Sequence, residues 1–312
     1  MLNSTAQAFP TTGSYTAPDA TFGRGTMTFA SRNFAYYLVD NTRIRLIETD
    51  GLLFTSGDAL MQTNVPTATT AGNFVFVIGG SSVLGTAGPI ARGGRFTTDA
   101  SGNLTSISVD DNNNGSASIT TSFTNTRFAI DTANPGTGRG TLTFTATGQQ
   151  NPFTAVFYFS SATEAVIQDT STGIIGDGTM LAQTGPFSSS GFTGNYAVNW
   201  SGQNLALGFE EDFAGQYALS SSNSVSGAID FVELASASKR NPLFSNIELT
   251  GNFGFSGDGT QRDTYTLTTN SAPNTTYDFA AYIGGTASAP TVLLINVDPH
   301  HVDAGTTTLQ TQ

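Results

Sequence analysis

The segment Gly138-Arg-Gly-Thr-Leu-Thr-Phe144 alternates polar and apolar side chains, and a nearly identical segment, Gly23-Arg-Gly-Thr-Met-Thr-Phe29, stands about 115 residues earlier. Alternation with a period of two is typical of a half-buried β-strand. Because seven residues match with a single difference, we interpret the chain as tandem copies of one β unit. A third, degenerate copy is Gln261-Arg-Asp-Thr-Tyr-Thr-Leu267.

Other shared segments give the boundaries of these units. The matching endings lie at 57–63, 178–184 and 305–311, and the opening Gly72-Asn-Phe74 corresponds to Gly194-Asn-Tyr196. The period of about 120 residues exceeds the 20 to 50 residues of solenoids and propeller blades, so each unit is a whole domain. We predict the C-terminal half of a unit at 1–63, a complete unit at 64–184 and a complete, diverged unit at 185–312.

Within a unit we expect only β-strands, because no window combines helical spacing of apolar residues with helix-forming composition. The strand candidates of the second unit are 72–79, 93–99, 103–110, 117–130, 139–146, 153–160, 164–169 and 176–183. Short turns rich in Gly and Asn join them, which favours an antiparallel meander. Eight such strands predict an up-and-down barrel, since closure removes exposed edges, and a two-sheet β-sandwich is the alternative.

The chain also resembles a known group of repeats. The opening at 72–74, the stretch Gly94-Arg-Phe-Thr-Thr-Asp-Ala-Ser-Gly-Asn103, the Gly138–Phe144 strand and the strand pair 34–39 and 46–50 are similar to tandem β-repeats of about 120 residues. Those repeats belong to large predicted secreted proteins of soil bacteria of the acidobacterial type. The resemblance covers most of 13–184. It implies an exported, multi-unit surface protein and no particular activity.

Composition excludes several classes of function. The chain of 312 residues carries 23 acidic and 11 basic side chains, and a net charge of −12 disfavours binding to nucleic acid or to anionic membranes. No run of about 18 apolar residues predicts a membrane-spanning helix. The chain has no cysteine and only two histidines, and it lacks nucleophile-elbow, P-loop and dinucleotide motifs. We therefore expect a non-enzymatic protein without an obligatory cofactor, in the extracellular space or on the cell surface.

Calcium is the one cofactor that a motif suggests. Asp110, Asn112 and Asn114 alternate before Gly115, like the first half of an oxygen-ligand calcium loop. The twelfth position is Thr121 rather than Glu, so the bidentate ligand is missing. The alternative is an Asn-Gly hairpin turn with solvated polar side chains.

Two further acidic segments deserve comparison with known sites. His300 and His301 lie between Asp298 and Asp303, and imidazole with carboxylate suits a transition-metal ion, although a solvated loop is the alternative. The densest acidic run, 210–212, is expected to be a solvated loop rather than a glycosidase pair, because neighbouring strand residues point to opposite faces.

Two functions remain open at this point. In the first, the units form a structural stalk, adhesin or fibre, and in the second each barrel binds a small ligand or carbohydrate. The half-unit at 1–63 favours the structural function, because half a barrel exposes its apolar face to water and leaves its two edge strands unpaired. We expect this face to associate with another copy of the chain into a homo-oligomer or fibre through Phe34, Tyr36, Leu38, Ile44 and Leu46.

Overall fold

The computed structural model describes residues 12–29, 31–50, 56–83, 87–190, 192–236, 239–240, 244–257, 261–270 and 274–310. The described residues form β-strands joined by turns and contain no α-helix. Accordingly, they include no helix with the length and apolar character needed to cross a membrane.

The half-unit folds into a separate five-stranded sheet. Its strands are β1 (Gly13–Tyr15), β2 (Arg24–Phe29), β3 (Arg32–Leu38), β4 (Arg43–Glu48) and β5 (Ser56–Leu60). They pair as an antiparallel meander in chain order, and β1 and β5 are the two edges of the sheet.

Unit two, residues 64–184, forms a barrel with one seam. Its strands are β6 (Gly72–Ser82), β7 (Gly88–Thr98), β8 (Leu104–Asn113), β9 (Ser116–Thr120), β10 (Phe123–Ile130), β11 (Arg139–Ala146), β12 (Phe153–Phe159), β13 (Glu164–Asp169) and β14 (Ile174–Thr184). β14, the last strand of the unit, pairs with β6, the first, along nine residues. No ladder connects β9 to β10 within the described residues, so the seam lies there.

Unit three, residues 185–312, forms a closed barrel of eight principal strands. Its strands are β15 (Gly194–Asn204), β16 (Phe209–Leu219), β17 (Ser224–Ser236), β18 (Lys239–Arg240), β19 (Phe244–Gly254), β20 (Asp263–Thr269), β21 (Thr276–Thr286), β22 (Ala289–Asn296) and β23 (His301–Leu309). The short β18 pairs only with β17, and β23 closes the barrel against β15. The barrel prediction is thereby confirmed over the sandwich alternative.

One predicted strand was wrong. The segment 117–130 was expected to be continuous, but it is divided into β9 and β10. Asn114 and Gly115, at φ of 52° and 82°, make a tight turn that folds β9 back on β8. The Ser- and Thr-rich composition of 116–125 gives no alternation that would have located the break.

The barrel interiors are filled with aromatic side chains. In unit two, Phe128 stacks on Phe157 with ring centroids 5.0 Å apart, and both rings are essentially fully buried. In unit three, Trp200 stacks on Phe213 at 4.5 Å. A solid core of this kind accounts for most of the favourable burial energy of each barrel.

The repeated Gly-Arg-Gly motif supports this core through its second glycine. A Cβ atom placed on Gly140 would lie 2.2 Å from the Phe157 ring, and one on Gly25 would lie 2.4 Å from the Tyr36 ring. These pairs face each other across the β11–β12 and β2–β3 ladders. The glycine therefore makes room for the aromatic ring of the neighbouring strand.

The two barrels pack side against side. Apolar residues on the outer surfaces of β6, β7 and β14 meet those of β21, β22 and β23 in a buried cluster that includes Val75, Val77, Leu181, Tyr282, Leu293, Ile295 and Val302. Because each of these side chains is at most 9% exposed, units two and three form one body.

We predict that Gly140→Ala destabilises the protein, because the new methyl group overlaps the Phe157 ring. Overpacking of this kind costs about 1–3 kcal/mol. Chemical denaturation should show a lower midpoint with an unchanged slope. The control is Thr141→Ala on the outer side of the same strand, which we expect to cost less; equal effects would contradict the proposed role of the glycine.

Candidate functional site

One buried ionic contact lies between unit two and unit three. The carboxylate of Asp110, on the outer surface of β8, accepts hydrogen bonds from Arg262 Nε at 2.8 Å and Nη2 at 3.0 Å. The Tyr282 hydroxyl donates to the same carboxylate at 2.5 Å. Asp110 is only 2% exposed, and a guanidinium fork with a phenol satisfies such a buried charge. Asp110 is therefore a docking residue.

The two residues that bind the Asp110 carboxylate, Arg262 and Tyr282, have counterparts in the other units. Arg262 lies in the degenerate third copy of the Gly-Arg-Gly motif. The strand registers place the motif arginines of the first two units opposite a tyrosine of the next strand, and Arg262, one residue before β20, continues the β20–β21 register to Tyr282. The pairs are Arg24 with Tyr37, Arg139 with Tyr158, and Arg262 with Tyr282. The arginine that survives in the degenerate copy was the sequence signal for this contact, and the sequence analysis missed it.

We call the outward-facing residues around each Arg–Tyr pair the receptor face. In unit three it comprises Arg262, Tyr282, Leu293 and Val302, and its apolar members are at most 2% exposed because unit two covers them. In unit two the equivalent residues are Arg139, Tyr158, Val166 and Ile175. The last three are each 44% exposed, and the Arg139 side chain is 37% exposed. The residues of unit two that are equivalent to the covered face of unit three are therefore exposed or half-buried.

The complementary donor face of unit two is formed by Val75, Val77 and Asp110. The registers make Ala197, Asn199 and Asp230 its equivalents in unit three. All three are exposed. Unit three therefore carries the docking carboxylate on a more polar surface.

The structure gives the three candidate calcium ligands other contacts. Asp110 is held by Arg262, as described. The Asn112 amide nitrogen donates to the carbonyls of Asn296 and His301, each at 2.9 Å. Asn114 has the left-handed backbone of the hairpin alternative. These contacts account for the alternating polar pattern of Asp110, Asn112 and Asn114.

The two adjacent histidines lie in different environments. His300 is exposed, whereas His301 points into the unit-three barrel, where its Nδ1 lies 2.5 Å from Glu211 Oε1. One oxygen each from Glu211 and Asp303 and a nitrogen of His301 lie within 4.8 Å of one another. The expectation that 210–212 is a solvated loop was wrong: Glu211 lies in β16 and is fully buried.

Burial makes these carboxyl groups weak acids. Desolvation, followed by the charge of Glu233, raises the pKa of Glu211 to about 8. Desolvation and the charge of Glu211 raise the pKa of Asp303 well above its usual range. The cluster therefore holds protons at neutral pH when no cation is present.

The corresponding end of the unit-two barrel contains a different set of charged residues. There Arg92 lies inside the barrel and pairs with Asp111 at 2.5 Å and with Asp169 at 3.0 Å. Beside it a recess of about 780 Å³ opens at the β9–β10 seam, with Phe123 and Phe153 among its lining residues. The equivalent end of unit three is occupied by the carboxylate cluster.

The five predicted assembly residues share the inner face of the half-unit. Their ladder equivalents in unit two lie in the barrel core and are at most 2% exposed: Ala155, Phe157, Phe159, Ala165 and Ile167. In the half-unit, Tyr36 is buried and donates to the Thr16 carbonyl, but Leu38 is 46% exposed. Phe34, Ile44 and Leu46 are half-buried, so this inner face is only partly covered.

No protein-family model and no curated protein sequence matches the chain. Among solved structures, it is similar to a putative AttH from Nitrosomonas europaea, with 10% identity, coverage of 76% of this chain and 92% of that chain, and a TM-score of 0.26. It is also similar to a variant of transferrin binding protein B from Haemophilus parasuis, with 8% identity, coverage of 97% and 96%, and a TM-score of 0.28. At these TM-scores neither similarity supports a functional argument.

We predict that Arg262→Met destabilises the contact between units two and three, because it leaves the buried Asp110 carboxylate without its cation. Losing one partner of a buried pair costs about 3 kcal/mol. Arg95→Met is the matched control, since Arg95 also reaches across the units, to Gln261 at 2.8 Å, but at an exposed site. Its loss should cost under about 1 kcal/mol. Equal urea-unfolding free energies for the two variants would contradict the docking role.

Proposed function

We propose that this chain is a non-enzymatic structural protein of the cell exterior, whose β units dock head to tail and extend from one copy of the chain to the next. The observation that carries this proposal is the uncovered receptor face of unit two. Within the chain, the equivalent face of unit three already binds a β unit through an arginine, a tyrosine and an apolar surface. The proposed contact therefore has a template in the same molecule.

The occupant that we propose is unit three of a second copy. Its donor face carries Asp230 at the position of Asp110, and Asp230 and Tyr158 are exposed. Arg139 pairs with Asp131 of its own unit at 3.6 Å, and 37% of its side chain remains exposed. The donor and receptor faces are different surfaces, so the contact is heterologous. A heterologous contact that does not close into a ring propagates into a fibre.

The packed interiors also support a structural function. The centres of both barrels are filled with aromatic side chains, and the docked outer surfaces make units two and three one body. Rigid barrels with filled cores, joined by buried contacts, suit a stalk or fibre. The secreted repeats that the sequence resembles support the extracellular location.

The half-unit supplies a second contact of the same assembly. Its two edge strands, β1 and β5, run parallel to each other because the sheet has an odd number of antiparallel strands. Two half-units related by a two-fold axis perpendicular to the strands can therefore pair β1 with β1 and β5 with β5. The result is an all-antiparallel barrel of ten strands that buries both inner faces.

We predict that Arg139→Glu reduces head-to-tail association, because it places a like charge opposite Asp230 of the neighbouring copy. Asp230→Arg alone should have the same effect, and the double variant should restore association. Sedimentation velocity over a range of protein concentrations measures this. Association that survives both single variants, or a double variant no better than the single ones, would refute the proposed contact.

For the half-unit, we predict that Leu38→Asp weakens association at least tenfold. Leu38 lies on the inner face, beside a recess of about 570 Å³ that also touches Ile44 and Met61. Burying one leucine is worth about 1.5–3 kcal/mol, and Asp forfeits it. Ile47→Asp is the control, because Ile47 is 51% exposed on the opposite face of the same sheet. Equal weakening by the two variants would contradict the inner-face contact.

A further inference from the structure

The strand registers bring two buried carboxyl groups together across one glycine. Gly202 of β15 lies opposite Glu211 of β16 on one side and opposite Asp303 of β23 on the other. A Cβ atom on Gly202 would lie 2.4 Å from Asp303 Oδ1. The glycine therefore gives the Asp303 carboxylate room beside Glu211, inside the barrel.

Two oxygen atoms of this cluster receive no hydrogen bond from an N–H group or a hydroxyl within the described part of the chain. They are Glu211 Oε2 and Asp303 Oδ1, and both side chains are fully buried. The other oxygens are bound by His301 and by the Asn296 amide at 3.0 Å, and the two carboxyl groups hydrogen-bond to each other by sharing a proton. A cation that takes the place of this proton would satisfy the same oxygens.

Unit two fills the same end of its barrel with an ion pair, in which Arg92 neutralises Asp111 and Asp169. The registers make Phe213, Phe231 and Asn296 the equivalents of these three residues, so the whole ion pair is replaced in unit three. The carboxyl groups of Glu211 and Asp303 stand at other positions of the ladders. Among the described ion pairs, the carboxylates of Glu211 and Asp303 have no arginine or lysine partner, and His301 is the only base beside them.

We propose that the unit-three barrel binds a divalent transition-metal ion, represented by Zn²⁺, through Glu211, His301 and Asp303. Imidazole with carboxylate is a ligand set that zinc accepts, whereas calcium and magnesium prefer oxygen ligands alone. Three protein ligands leave the fourth position of a tetrahedral ion for water. This site is independent of the docking faces, which lie on the outer surface.

Metal binding replaces a proton in this geometry. The 2.5 Å separation of His301 Nδ1 and Glu211 Oε1 is a hydrogen bond, and that proton leaves when both atoms bind the metal. Ligand distances of about 2.0–2.1 Å in a tetrahedron require the two atoms to separate to roughly 3.3 Å. Asn296 holds Asp303 through the other carboxylate oxygen and so orients it toward the ion.

The test uses the full chain, unfolded in denaturant with a chelator and refolded with either no metal or Zn²⁺, so that access to a buried site does not limit loading. We expect one zinc per chain by elemental analysis after desalting, and a higher melting temperature for the loaded protein. Co²⁺ in place of Zn²⁺ should give the visible absorption of a tetrahedral site.

Glu211→Gln and Asp303→Asn keep the side-chain shape and remove a ligand charge, so they should weaken zinc binding at least tenfold. Their metal-free melting temperatures should equal or exceed that of the parent, which excludes misfolding as the cause. His300→Gln, at the exposed neighbouring histidine, should bind zinc normally. Absence of zinc from the refolded parent, undiminished binding by Glu211→Gln, or equal loss in His300→Gln would each overturn the proposal.

Discussion

A strand at the edge of an antiparallel meander leaves backbone groups unpaired, and units two and three reduce such edges by pairing the last strand of the unit with its first, which leaves one seam, at β9–β10, among the described residues. The β14–β6 and β15–β23 ladders provide this closure. Closure defines an inside, which aromatic side chains fill, and an outside, which is left for contacts between units. It also brings Glu211 and His301 together, although they lie 90 residues apart in the sequence. Among the described residues of the half-unit, β1 and β5 are not paired with each other, and the positions equivalent to the barrel core are only partly covered.

The sequence reveals the parts of the structure that depend on short-range patterns. Alternation and Gly-Asn turns are local, and the repeated motif locates equivalent strands in all three segments. The seam at β9–β10 and the fate of Asp110 depend on which residues meet across ladders and between barrels. A spacing of two placed Asp110 and Asn112 on one face correctly. It could not indicate that the face was covered by unit three, because Arg262 lies 152 residues away.

The candidate metal cluster illustrates the same limit. The pair His300–His301 is a local motif, but His301 is the first residue of β23 and enters the barrel, whereas His300 lies in the preceding turn and is exposed. The residue that pairs with His301 is Glu211, which belongs to the segment 210–212. The density of negative charge in this segment had indicated a solvated loop. Alternation applied to β16 would have separated Glu211 from its exposed neighbours Glu210 and Asp212. The choice of which face is inside still required the aromatic series of the barrel core.

The units share their strand architecture and differ in their outer surfaces and barrel ends. The Arg–Tyr pair stays outside in every unit, and the glycine–aromatic contact stays inside in the half-unit and in unit two. The polar barrel end, by contrast, changes from an internal Arg92 ion pair to a carboxylate–histidine cluster. The outer surface of β15 changes too, because Ala197 and Asn199 replace Val75 and Val77. In the head-to-tail contact that we propose, the donor face of unit three would therefore depend more on its carboxylate than the contact between units two and three does. A contact that rests more on charge and less on apolar burial is weaker and more sensitive to salt, which would suit association between separate chains.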